Sequence, residues 1–300
     1  MKPRKAEFML LIVTLFWGSS YIFMKMGLGT LGEFNLIALR FGLAFVLASL
    51  LFHRRLRRID ARTLKVGALL GFLLLGVFTF ITFGLKTTTT SNAGFLVALT
   101  VVFVPLLDRI IFKKTIAAPQ IFGTVLAITG IALLTLNASL QLAPGDLLCI
   151  LSAVFYALQI LVTGRAVKTC DSLNLGILQL GFAAGFALVL SLIFESPSLP
   201  SSTPAWIAIL ALGILCSGCG FILQPIAQKY TTPTRTGLIF ALEPVFAAFF
   251  GFWFAGEELS LQGYTGAALV LLGIVASELL GKTPLAGGHV RTLKKRRADL

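Results

Sequence analysis

Long apolar runs broken by short polar connections fill almost the whole chain, and about ten of them reach the length an α-helix needs to cross a hydrocarbon core. The predicted spans are 8–27, 33–52, 64–84, 91–112 and 119–136, then 146–165, 173–194, 204–228, 234–255 and 261–280. No connection is long enough to hold a soluble domain. The pattern predicts an all-α integral membrane protein of ten transmembrane helices. Its first run follows the basic start Met1 to Lys5 in the manner of a signal peptide. A counterpart later in the chain argues that this run is retained as a span.

The runs repeat. Asn35, Arg40 and Gly42 align with Asn174, Gln179 and Gly181 at an offset of 139, which also sets Phe16 and Trp17 against Phe155 and Tyr156. Further on, Gly94, Ala98, Leu99, Phe103, Gly123 and Gly130 match Gly237, Ala241, Leu242, Phe246, Gly266 and Gly273 at an offset of 143. Residues 1–141 and 142–300 thus read as two five-helix units, joined by a polar bridge at 137–145. Five crossings is an odd number, so the second unit enters the bilayer from the opposite side, as in the inverted repeats of many secondary transporters. Units related in this way exchange conformations and expose a central site to each side in turn.

Composition agrees with the pattern: 57% hydrophobic residues against 12% charged, with 26 Phe, exclude an ordinary water-soluble domain. The net charge of +13 changes the picture only through where it falls. Lys and Arg crowd the connections on the side of the N-terminus, His53 to Lys65 most of all, and the tail from Lys282, which includes Lys294 to Arg297. That leaves Lys25 and Lys86 opposite and Arg40 within a span. The bias places both termini in the cytoplasm and explains the charge without a nucleic-acid partner. The tail also suits anionic lipid at the surface. Cys149, Cys170, Cys216 and Cys219 are too scattered for a disulfide framework, and the lone CxxC at 216–219 reads as small residues at a helix interface. His53 and His289 lie in basic segments outside the spans.

Candidate chemistry starts at Glu243, an acid inside the apolar stretch 237–260 and next to Pro244. A carboxylate at membrane depth costs about 2.5–3.5 kcal/mol on insertion scales, so it is protonated, paired with a neighbouring helix, or lining a wet cavity. Pro244 withholds a backbone donor and marks a helix break, as does Pro225. Arg40 stays charged at any relevant pH, so it braces helices, snorkels, or meets an anionic group, with Glu243 its obvious acidic partner. Trp17 and Tyr156, related by the repeat, are suited either to stack on a substrate from opposite halves or to pack. Asn92, Thr100, Gln159 and Gln224 are uncharged polar groups able to replace a solute's hydration or to satisfy a neighbouring helix. Gly67 and Gly71, Gly181 and Gly185, and Ala247, Gly251 and Ala255 recur every fourth position and predict close helix approach. Thr87 to Thr90 read as helix caps, and Glu257 and Glu258 as solvated acids.

The stretch LIFALEPVFAAFFGFWFAGEELSLQGYTGAALVLLGIVAS at 238–277 resembles the end of an EamA-type repeat of the drug/metabolite transporter superfamily. FVPLLDRIIFKK with Gly123 and Gly130 resembles the same region in the first half, and FWGSSYIFMKMGL with LIALRFGLAF resembles its first two helices. The resemblance covers roughly residues 8–280. It implies a ten-helix inner-membrane carrier with a substrate cavity between its halves, taking amino acids, their derivatives, nucleosides or toxic metabolites and more often exporting than importing them. Thr100 stands opposite Glu243 and Val101 opposite Pro244, so the halves are chemically unequal.

The expected activity is secondary transport of a small metabolite by alternating access, with proton coupling through Glu243 as one option. A lipid flippase or a non-transporting scaffold is the alternative. An intramembrane enzyme is disfavoured, because no GxxxxGK[ST], HExxH or GxSxG and no intramembrane His occurs. No cofactor or metal is expected. The small-residue faces pack either within one chain or between two, so a homodimer stays open.

Overall fold

A computed structural model describes residues 1–56, 59–113, 118–135, 143–240, 242–256 and 260–280. The bridge at 137–142, Glu257, Glu258, His289 and the basic tail from Lys282 lie outside the described residues. The chain forms α1 (Pro3–Gly27), α2 (Glu33–Leu51), α3 (Ala61–Gly84), α4 (Thr90–Val97), α5 (Thr100–Phe112) and α6 (Ala118–Thr135). Then come α7 (Pro144–Ala166), α8 (Ser172–Phe194), α9 (Thr203–Gln228), α10 (Pro233–Phe240), α11 (Glu243–Ala255) and α12 (Leu261–Leu280). Polar residues set the starts: Asp60, Thr89, Asp171 and Ser202 each accept a backbone N–H from the first turn of the helix that follows. Thr63 donates its hydroxyl to Asp60 as well, and this bond holds the Asp60 carboxyl below the usual range.

Among the described residues, seven helices are long and apolar enough to cross a membrane: α1, α2, α3, α4 with α5, α7, α8 and α9. The other three expected spans coincide with α6, α10 with α11, and α12. There the uninterrupted apolar stretches are shorter, at 121–130, 243–255 and 261–273. Outward faces carry large apolar side chains, Leu50, Leu51, Phe194 and Phe254 among them, as contact with lipid requires.

Packing follows the repeat. Helix α1 lies on α9 and α11, while α7 lies on α3 and α5; α2 packs on α9, and α8 on α3. The pairs α2 with α8 and α6 with α12 are each their own counterpart. Exchanging the first six helices with the last six leaves this set of contacts unchanged.

The same exchange reaches the backbone hydrogen bonds. Between α4 and α5, Leu99 N donates to Leu96 O, Val102 N to Leu99 O and Phe103 N to Leu99 O. Between α10 and α11, Leu242, Val245 and Phe246 repeat these bonds to Ile239 and Leu242. Left-handed caps close α5 at Lys113 (φ 54°) and α11 at Gly256 (φ 62°), again an offset of 143. The break before Glu243 therefore belongs to the repeat and needs no proline, since the first half breaks with Val101 in that place. Pro244 falls in the first turn of α11, where its missing N–H leaves no bond unmade.

Close approach by small residues holds at most predicted positions. A β-carbon on Gly67 would lie 2.7 Å from Leu178 Cβ, and one on Gly71 2.5 Å from Phe182 Cβ and 3.0 Å from Gln179 O. Gly185 is different: nothing lies within 4 Å of a β-carbon there, because that side of α8 borders a cavity. Gly71→Val is accordingly expected to lower stability by about 1–3 kcal/mol through overpacking of the α3–α8 crossing. Gly185→Ala is expected to stay within about 0.5 kcal/mol of the parent. Thermal unfolding of the two purified variants in detergent makes the comparison.

Candidate functional site

Trp17 lies where the two halves meet. Its ring centroid is 4.7 Å from that of Phe221, 4.8 Å from Phe240 and 5.8 Å from Tyr156. Tyr156 in turn stacks on Phe240 at 5.9 Å and 12°. The repeat-related pair Trp17 and Tyr156 packs edge to face, ring against ring. The indole Nε1 donates to Cys216 O at 2.8 Å, and a β-carbon on Gly220 would overlap that nitrogen. Both acceptor and glycine belong to α9, whose middle, Ala211–Cys219, is π-helical, a distortion common at functional sites.

One turn along α1, Tyr21 shares the face of Trp17 and donates its hydroxyl to Glu243 Oε1 at 2.7 Å. Glu243 is buried as the first residue of α11, where the free N–H groups and dipole of a helix start favour an acid. The neighbouring crossing is tight: a β-carbon on Gly18 would sit 3.1 Å from Glu243 O and from Ala247 N.

Arg40 is fully buried, so it does not snorkel. Its Nε donates to Ser217 Oγ at 2.9 Å, and its guanidinium carbon lies 4.3 Å from the Phe78 ring centroid and 5.1 Å from that of Phe41. Glu243, the obvious acidic partner of Arg40 on charge, does not pair with it. Among the described residues no carboxylate comes within ion-pair distance of Arg40, because α9 receives its Nε while Tyr21 engages the acid. Both terminal nitrogens of Arg40 and the Tyr156 hydroxyl are buried without a hydrogen-bond partner.

Gln159 and Gln224 bond to each other, and Gln159 also bonds Gln179, the repeat counterpart of Arg40. Gln159 Nε2 donates to Gln179 Oε1 at 3.0 Å, Gln224 Nε2 to Gln159 Oε1 at 3.0 Å, and Gln179 Nε2 to Phe221 O at 2.8 Å. Phe221 O is the carbonyl that Pro225 deprives of its helical donor, and Gln179 supplies the replacement. Thr100 starts α5 as Glu243 starts α11, but its hydroxyl donates to Val97 O at 2.6 Å, with Ala153 O at 3.4 Å. Asn92 occupies the first turn of α4 and donates its backbone N–H to Thr89 Oγ1. Its side chain makes none of the cluster's hydrogen bonds.

Tyr21, Ser217, Gly220 and Phe221 complete the site, and none was singled out from sequence. Tyr21 had a signal in its i, i+4 spacing from Trp17; Ser217 and Phe221 had none, because the π-helical register of α9 resets which residues share a face. The four cysteines are free, with Cys216 Sγ donating to Phe16 O at 3.1 Å. No metal-binding group of His, Cys, Asp or Glu occurs among the described residues. Two cavities lie off this cluster. One of about 640 Å³ sits between α2, α8 and α9, and one of about 600 Å³ between α1 and α11.

The sequence profile of the EamA-like transporter family matches residues 4–136 and 143–278. An uncharacterized transporter of Archaeoglobus fulgidus is 27% identical over 279 residues, covering 93% of this chain and 87% of its own. The uncharacterized transporter YoaV of Bacillus subtilis is 23% identical over 270 residues, covering 87% of this chain and 92% of its own. A protein crystal structure superposes with a TM-score of 0.72 at 20% identity, over 93% of this chain and 98% of the other. At that identity the likeness concerns the fold.

Removing the hydroxyl in Tyr21→Phe leaves the buried Glu243 oxygen without its donor and is expected to cost about 1–3 kcal/mol. Glu243→Gln keeps an acceptor for Tyr21 and is expected to be nearly neutral in stability. Thermal unfolding of both variants reads the difference, and equal losses would contradict the geometry.

Proposed function

The chain belongs to the EamA-like transporter family, within the drug/metabolite transporter superfamily, and from that membership we propose that it carries a small solute across a membrane by alternating access. The observation behind this reading is the cluster around Trp17. Polar groups that hydrocarbon does not tolerate, Glu243 and Arg40, are held by helices of both halves where those halves meet. A scaffold has no use for them there.

In this reading the helices make ten crossings, α4 with α5 and α10 with α11 each counting as one broken span. The two halves, divided near residue 141, are inverted relative to each other with both termini in the cytoplasm of a cell whose plasma membrane holds the chain. Trp17, Tyr156, Glu243 and Arg40 contribute directly to the solute site. Gln159 and Gln224 join through the amide trio, and Thr100, Asn92 and the proline breaks at Pro225 and Pro244 shape its walls. The cargo is an amino acid or related metabolite, and export is the expected direction.

An asymmetry between the two ends supports alternating access. Arg165 on α7 pairs with Asp108 on α5 at 2.9 Å. Carried through the repeat, these positions become Met26 on α1 and Gly251 on α11, where Ser19, Phe23, Met26 and Phe250 line the 600 Å³ cleft. One crossing carries an ion pair and its counterpart borders a cleft instead, and exchanging the two arrangements would move access from one face to the other. Lipid as cargo draws on a different feature, the mostly apolar cavity between α2, α8 and α9.

Solute counterflow in proteoliposomes containing the folded protein tests the reading. A metabolite that exchanges across the bilayer is the expected result. Exchange of labelled lipid alone would favour the flippase, and no exchange of either would remove the carrier. If Glu243 carries the coupling proton, transport by Glu243→Gln should lose its response to an imposed pH gradient while exchange persists; an unchanged response would assign coupling elsewhere. A reporter fused to the C-terminus is expected to report the cytoplasm.

A further inference from the structure

Within the carrier reading, we propose that Arg40 is an anion subsite and that the cargo is a small organic carboxylate, held end-on by the two terminal nitrogens of the guanidinium. The geometry of Arg40 sets out what is missing. Its Nε is satisfied by Ser217, one flank lies against Phe78 and Phe41, and both remaining nitrogens are buried with no acceptor. An unpaired cation in so dry a place is expensive, and buried donors are normally bonded. The unused edge of the fork presents two parallel N–H donors, which match the two oxygens of one carboxylate.

The second half shows what the same position looks like when complete. Gln179, the repeat counterpart of Arg40, donates to Phe221 O and accepts from Gln159, so both of its polar atoms are engaged within the protein. Burial alone therefore does not leave this position unsatisfied; the charge and the open bonds are particular to Arg40. The surroundings fix the rest of the ligand. Phe78 contacts Phe221, which contacts Trp17, which contacts Tyr156 and Phe240, so a continuous path of rings leads from the cation across the interface. A single cation with apolar walls suits a monocarboxylate carrying an apolar or flat body. A phosphate dianion would keep uncompensated charge there.

Ligand binding to the purified full chain in detergent, followed by thermal stabilisation, tests the subsite with phenylacetate, 3-methylbutanoate and L-leucine, each against its primary amide and against inorganic phosphate. At least one carboxylate is expected to bind saturably and its amide about tenfold or more weaker. Arg40→Gln is expected to lose about tenfold or more in that affinity, and Arg40→Lys, which keeps charge without the fork, to lose less while still preferring acid to amide. The proposal is overturned if no carboxylate binds, if acid and amide bind alike, if phosphate binds more tightly, or if monodisperse Arg40→Gln stays within about twofold of the parent. Should Arg40→Gln fail to fold, Arg40→Lys decides by its preference for acid over amide. Counterflow separates this inference from the carrier reading. Exchange of amides or amines to the exclusion of carboxylates leaves the carrier standing and removes the subsite. Arg40-dependent carboxylate binding without exchange of any solute does the reverse.

Discussion

A polar group in hydrocarbon has to be bonded from within the protein, and the centre of this molecule is organised by that requirement. Glu243 takes the Tyr21 hydroxyl, Trp17 finds Cys216 O, and the carbonyl released by Pro225 is met by Gln179. Each bond joins helices from different parts of the chain. In water, bonds of this kind contribute little net free energy, since solvent offers the same partners. Here the alternative is no partner at all, so they fix which helices are neighbours. Arg40, with one nitrogen bonded and two idle, and the Tyr156 hydroxyl depart from this rule, and the charge on Arg40 is why it draws the functional argument toward itself.

Repetition supplies the scaffold and divergence supplies the chemistry. Helix contacts, the breaks between α4 and α5 and between α10 and α11, and even the left-handed caps at Lys113 and Gly256 are shared by the halves. The side chains are not. Thr100 turns its hydroxyl back to Val97 O at the end of α4, with Ala153 O also near, while Glu243 at the matching position reaches across to Tyr21. Arg40 and Gln179 differ in the same sense. The symmetric frame thus carries chemically unequal residues at its centre.

Much of the frame was legible in the sequence, because apolar run length and two constant offsets carry it. The helix positions and the repeat relation of Trp17 to Tyr156 follow from those signals. The partners of the buried charges did not follow. Pairing Arg40 with Glu243 was reasonable on charge alone, yet it ignored hydroxyls, which are cheaper to bury and lie closer: Tyr21 for the acid and Ser217 for the guanidinium. Gly185 shows the limit of reading small residues as contacts, since its spacing matches Gly181 but it borders open space. The register of α9 was hidden for a backbone reason, as nine π-helical residues shift every later side chain off the 3.6-residue face.

That π-helical stretch also has mechanical meaning. Cys216 and Ser217 are consecutive, and one accepts from Trp17 on α1 while the other accepts from Arg40 on α2. Gly220 and Phe221, just beyond, pack against Trp17 and take the amide of Gln179 on α8. Any rocking of α1 and α2 relative to α9 therefore strains the indole bond and the guanidinium bond together. The first half cannot move past this helix and leave the site unchanged. Arg40 and the rings around Trp17 are thus tied to α9 by one connected set of contacts.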